Sequence, residues 1–209
     1  IGVRMRMENP AANGNPGNDI SYMFVYGGYI YGQSRGVWGQ KCTGANEKQG
    51  ELVVTGGTIE NSDANRGAIQ FDTDTYEAQN VEATISGAFI KGKIIAGTDE
   101  MSITGGTFTE NVSDFCAEGY ELVETGDGTY GVVEEGSVAQ IVGGQGYATL
   151  AGAFGAVENG ETIIMLANVD VAVSLNNAKN ITLDLNGKTI AGTDNTTSNF
   201  GLIHNTAEL

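Results

Sequence analysis

"VVTGGTIE" occupies residues 53–60 and "SITGGTFTE" residues 102–110, and the chain says nearly the same thing three more times. The other versions are "FVYGGYIYG" (24–32), "TISGAFIKG" (84–92) and "LDLNGKTIAG" (183–192). Registered on their glycines, they share a period of two. One apolar column reads Val25, Val54, Ile85, Ile103 and Leu185, and a second, past the glycines, reads Ile30, Ile59, Ile90, Phe108 and Ile190. Between them run Tyr26, Thr55, Ser86, Thr104 and Asn186. Alternation of this kind marks strands with one buried face. The central glycine pair admits the positive φ that a bend between two short strands needs.

A second type of segment alternates with the first. "RGVWGQ" (35–40), "RGAIQFDT" (66–73) and "FGLIHNT" (200–206) each carry a glycine before an apolar strand, and "IGVRMRM" (1–7) is similar. The glycines recur at intervals near 30 residues: Gly28 to Gly57, Gly57 to Gly87, Gly36 to Gly67. Repeats of 20–50 residues mean stacked units that cannot bury their faces alone. Units made only of strand and turn predict an all-β fold, a β-solenoid whose coils pair at roughly 4.8 Å. Gly87 to Gly106 is shorter, which predicts a short last coil.

The repeat lapses after residue 110. "YELVETGDGTYGVVEE" (120–135) predicts a hairpin around Asp127-Gly128. "YATLAGAFGAVENG" (147–160) then carries Leu150, Ala153, Phe154 and Val157 at helical spacing, ended by Asn159-Gly160. The expected organisation is a run of coils closed by a terminal hairpin over 1–136. A second solenoid opens at 137–209 with one short capping helix. Both ends fall inside a repeat, so the chain reads as an excerpt of something longer.

Composition narrows the function classes. Ten basic against twenty-six acidic residues give a net charge of −16, which repels phosphate backbones and anionic lipid. Nucleic acid is therefore not an expected partner. No run approaches the ~20 apolar residues that span a bilayer, so no membrane insertion is expected. Cys42 and Cys116 stand too many coils apart for a disulfide, whose Cα atoms need to lie within about 7 Å, and free thiols are expected. The sole histidine is His204 and no CxxC exists, so no metal site or cofactor is expected. In "GLIHN" it stands one step from an inward isoleucine, which suits a structural or surface residue better than a base.

"SITGGTFTENVSDFCAEGYELVETGDGTYGVV" resembles the closing segment of repeat modules in large secreted and surface proteins of gut bacteria, mainly Firmicutes. "YATLAGAFGAVENGETIIMLANVDV…KNITLDLNGKTIAG" resembles the opening of pectate-lyase-like domains in the same proteins. The resemblance covers residues 50–209 and, more loosely, the coils before them. It implies a right-handed parallel β-helix, an extracellular location, either secreted or attached to the cell surface, and further modules of the same chain as neighbours.

Proteins of that fold include polysaccharide lyases and hydrolases, so residues must decide between catalysis and binding. A lyase needs a base for the proton beside a uronate carboxylate, and carboxylates to hold Ca2+. The nearest constellation is Arg66 with Asp72 and Asp74 in "RGAIQFDTDT", and calcium is implied only under this reading. The competing reading is an arginine that screens acidic neighbours on a solvated strand. Hydrolysis needs two carboxylates roughly 5–9.5 Å apart. The paired aspartates and Gly-His-Gly motif of polygalacturonases are absent from the sequence.

The aromatic residues carry more. If Met23, Val25 and Ile30 face inward, then Tyr22, Phe24, Tyr26, Tyr29 and Tyr31 face outward, and alternation allows Trp38 to do so too. Aromatic faces suit the C–H faces of sugar rings, and a contiguous exposed patch marks a contact site. The same side chains would equally pack under "ENPAANGNPGND" (8–19) or against a neighbouring module. The expectation is a non-catalytic spacer or adhesin whose partner is a glycan or a cell-surface protein. A lyase or hydrolase is the alternative. A subunit that stacks head to tail into fibres is a further one.

Overall fold

The computed structural model describes residues 2–6, 21–40, 50–71, 81–96, 100–172, 174–193 and 202–206. Its first part is twelve short strands: β1 (Val3–Arg6), β2 (Ser21–Val25), β3 (Tyr29–Gly32), β4 (Val37–Gln40), β5 (Gly50–Val54), β6 (Thr58–Asn61), β7 (Gly67–Phe71), β8 (Val81–Ile85), β9 (Phe89–Lys91), β10 (Lys93–Ile95), β11 (Glu100–Ile103) and β12 (Thr107–Phe108). They sort into three sheets ordered β1-β4-β7-β10, β2-β5-β8-β11 and β3-β6-β9-β12. Consecutive strands thus visit the three sheets in turn, and each pairs parallel with the strand three places earlier. The all-β expectation holds.

The registered columns are the core. Val25, Val54, Ile85 and Ile103 are successive partners across the second sheet, and Ile30, Ile59, Ile90 and Phe108 across the third. All but Ile30 are buried, Ile59, Ile90 and Phe108 completely. Burying one such side chain stabilises a fold by roughly 1.5–3 kcal/mol. The corner between the two sheets falls at Gly28, Gly57 and Gly106, all with positive φ.

The third coil is short for a reason the spacing hid. It has its full set of strands, including β10, which follows Gly92 directly and joins β7 through an irregular register at Lys93/Ile94. What shrinks is the connection into the second sheet. Residues 41–49 and 72–80 make that connection in the earlier coils, and 96–99 make it here.

The hairpin is β13 (Tyr120–Glu124) and β14 (Tyr130–Glu134), paired antiparallel, with β14 laid antiparallel against β12. Its tip is closed by Asp127, whose carboxylate accepts from Thr129 Oγ1 at 2.6 Å, Thr129 N at 2.9 Å and Thr125 Oγ1 at 3.0 Å. The Thr129 hydroxyl foremost, with these other donors, holds the carboxyl below the usual carboxylate range. A depressed pKa means that the hairpin gains stability above the ordinary value, about 4, and loses it as pH falls through the lower folded value. Acidifying from about pH 5 should therefore lower the urea midpoint of the native chain more than that of Asp127→Asn. Equal losses in the two proteins would refute this role for Asp127.

Beyond the hairpin lie β15 (Ala139–Ile141), β16 (Gly146–Tyr147), α1 (Leu150–Ala156), β17 (Thr162–Met165), β18 (Val169–Val171), β19 (Leu175–Asn177), β20 (Thr182–Asp184), β21 (Ile190–Gly192) and β22 (Ile203–Asn205). β15 runs antiparallel to both β16 and β17, and then the three-place rhythm resumes in the parallel pairs β17–β20, β18–β21 and β19–β22. Thr149 caps the helix by accepting from Gly152 N, and Leu150, Ala153 and Phe154 face inward. The helix stops at Ala156, with Val157 already extended, ahead of the expected Asn159-Gly160. A helix of seven residues is marginal alone, so packing holds it.

Leu185 and Ile190 do not continue the earlier columns. Asn186 and Gly187 both have positive φ, and Lys188 N donates to Leu185 O at 2.7 Å, which closes a tight turn. Leu185 is left exposed, while Ile190 packs on the second core.

Buried apolar residues form two clusters, one ending at Val132 and one beginning at Ala139. Between them Gln140 is fully buried, and its Nε2 donates to Gly106 O at 3.3 Å and Gly144 O at 3.1 Å. Gly143 N donates to Thr107 Oγ1 at 2.9 Å. Gly131 leaves the space that the Gln140 amide fills, since a Cβ there would lie 2.0 Å from Oε1.

Candidate functional site

Strand alternation decides which aromatic side chains reach solvent. With Met23 and Val25 turned toward the first core, Tyr22, Phe24 and Tyr26 stand on the opposite face of β2, 57, 51 and 72 % exposed. Their rings are nearly parallel, with centroids 6.2 and 6.1 Å apart. Past the Gly27–Gly28 bend, Ile30 turns inward and Tyr29 and Tyr31 outward, 62 and 47 % exposed, their centroids 6.5 Å apart. The five expected outward aromatics are therefore outward, in two rows on two sheets.

Trp38 does not join them. The chain has turned again between β3 and β4, so Trp38 belongs to the first sheet. It is half-buried, with Arg35 4.6 Å and Arg4 5.7 Å from its ring centre, positions that suit cation–π attraction. The face expected to run from Tyr22 to Trp38 is thus divided by two corners, and its last member lies beneath arginines.

The Tyr29–Tyr31 row is tied to the next coil. Tyr29 Oη donates to Glu60 Oε2 at 2.8 Å and Tyr31 Oη to Ser62 Oγ at 3.1 Å. The bond to Glu60 raises the Tyr29 pKa above its ordinary value. Glu60 also pairs with Lys91 of the following coil at 3.5 Å, and Lys91 lies 5.0 Å over the Phe89 ring. A rung of hydroxyl, carboxylate and ammonium thus crosses three coils.

Beside this rung opens a cleft of about 550 Å3, bordered by Glu60, Asp63, Arg66, Lys91, Lys93 and Glu110. Its floor is fixed by Asn61, whose Nδ2 donates to the carbonyls of Ser34, Asp63 and Arg66. Gly92 is required opposite, because a Cβ there would stand 2.1 Å from Asn61 Oδ1. Sequence reasoning missed this cleft. Arg66 and Lys93 meet there through coil stacking, and the lone hint was Gly92 in "KGK" (91–93), in line with Asn61.

Of the expected lyase residues, Arg66 is exposed at the cleft, whereas Asp72 and Asp74 lie outside the described residues. Arg35, which precedes Gly36 as Arg66 precedes Gly67, sets its guanidinium over Trp38. Among the described residues no three His, Cys, Asp or Glu side chains gather as a metal would need. His204 is half-buried in β22 and its neighbour Ile203 is exposed, the reverse of the expected facing. Cys116 is a free, half-buried thiol whose pKa burial raises, and Cys42 lies outside the described residues. Among the described residues no helix is long and apolar enough to cross a membrane.

Comparison with known proteins found no matching family model, no matching curated protein and no matching solved structure. The fold and the site together define an all-β protein of stacked parallel strands with exposed aromatic rows on two of its sheets.

Proposed function

We propose that the chain is a right-handed parallel β-helix module of a large secreted or surface protein, and that it acts outside the cell as a non-catalytic spacer or adhesin. The partner is a glycan or a surface protein, and the neighbours are further modules of the same chain. The reading of the fold draws on the three-place strand rhythm in three parallel sheets. The reading of the function is carried by one observation: five aromatic side chains stand 47–72 % exposed on adjacent strands. Leaving that much aromatic area in water forgoes stabilisation that burial would give, and a contact partner recovers it.

Electrophoresis in gels cast with plant and mucosal polysaccharides tests the reading. At least one polymer should retard the folded protein, and Tyr26→Ala combined with Tyr31→Ala should weaken retardation about tenfold, the effect of losing about 1.4 kcal/mol of contact. Unaltered mobility on every polymer would remove the glycan reading. Product formation from a uronate polymer with calcium would remove the non-catalytic one.

A further inference from the structure

The cleft beside Tyr31 gathers three of the chain's ten basic residues, Arg66, Lys91 and Lys93, against three acidic ones, Glu60, Asp63 and Glu110. A chain of net charge −16 is here locally balanced. Its volume lies within the range of small-molecule sites, roughly 300–1,000 Å3. The cleft is also joined to an aromatic platform, because Ser62 holds the Tyr31 hydroxyl while donating its own proton to Gln33 O at 3.1 Å. On the far wall the Lys93 ammonium donates to Ala64 O at 3.0 Å, and an ammonium has three protons to give.

We propose that Tyr29, Tyr31 and this cleft form one saccharide subsite, and that its ligand is an electroneutral, hydroxyl-rich sugar ring. This rests on the glycan reading above and adds the location and the ligand class. The ring's C–H face lies on the tyrosines, where apolar contact and ring electrons favour it. Its hydroxyls enter the cleft, where each can donate to a carboxylate and accept from an ammonium or guanidinium, and charge-assisted bonds of this kind are roughly twice as strong as neutral ones. Charge decides the class. A polyanion is repelled by the field of −16, and a polycation is drawn to the acidic surface at large and gains nothing special at a cleft whose charges balance. A neutral polyol uses both signs and is opposed by neither.

Gel retardation on a neutral glucan, a neutral mannan, polygalacturonate and chitosan separates the outcomes. The expected result is retardation on a neutral polymer, weakened about tenfold by Tyr31→Ala and by Arg66→Ala, and less by Phe24→Ala. Tyr31→Phe keeps the ring and should keep most of the binding. All these side chains are exposed or half-exposed, and circular dichroism verifies that each variant is folded. A larger loss in Phe24→Ala than in Tyr31→Ala would overturn this site while leaving the glycan reading intact. Retardation confined to polygalacturonate or chitosan would overturn the ligand class. Retardation on none of the four would overturn the subsite, and unaltered mobility on the wider plant and mucosal panel would overturn the glycan reading as well.

Discussion

Phe108→Ala should lower the unfolding free energy by about 3–5 kcal/mol, the range for deleting a buried aromatic ring. Phe108 is completely buried at the end of the Ile30–Ile59–Ile90 column. It cannot be replaced by local collapse, because β9 holds it on one side and β14 on the other through its partner Tyr130. Urea unfolding followed by far-UV circular dichroism measures the loss as a lower midpoint at unchanged slope. Phe89→Ala supplies the contrast: that side chain is half-buried on the opposite face of β9, and its removal should cost about 1 kcal/mol or less. Similar losses for the two would mean that the column is not the packed core described above.

The second large effect separates strain from collision. Gly28 and Gly57 occupy the same corner on neighbouring coils with φ of 83° and 87°. A Cβ at Gly28 would meet nothing within 4 Å, whereas at Gly57 it would stand 2.7 Å from Gly27 C and Gly28 O. Gly28→Ala should therefore cost only the left-handed backbone penalty, roughly 1–2 kcal/mol. Gly57→Ala adds an overlap with backbone that cannot rotate away, about 1–3 kcal/mol more. Equal midpoints for the two variants would show that the coils are not packed this closely at the corner.

Why the first sheets were legible in the sequence follows from their physics. Period-two alternation and a glycine every coil are local signals, and they identified the columns through Val54 and Ile59, the hairpin at Asp127 and the helix around Phe154. Where a local signal has two structural meanings, the reading failed. Asn186-Gly187 does bend the chain from β20 to β21 of another sheet, but as a tight turn with two positive φ values, and Leu185 ends outside instead of in the column. The outward tyrosines were legible for the same reason as the core. Their division from Trp38 was not, since alternation says which side a residue takes and not which sheet. The cleft at Arg66 left only the hint at Gly92, because Lys91, Lys93 and Glu110 reach it only when coils stack. The turn in "GGQGYA" (143–148), with Gln140 before it, docks on Gly106 and Thr107 through contacts that only the fold brings together.

The parallel register has a mechanical meaning. Hydrogen bonds between coils lie along the stacking direction, so tension applied that way pulls on one coil's bonds at a time. Once they part, the freed coil of about 30 residues pays out roughly 100 Å of chain before the next takes load. A pulled stack of this design yields in discrete steps and absorbs work at each.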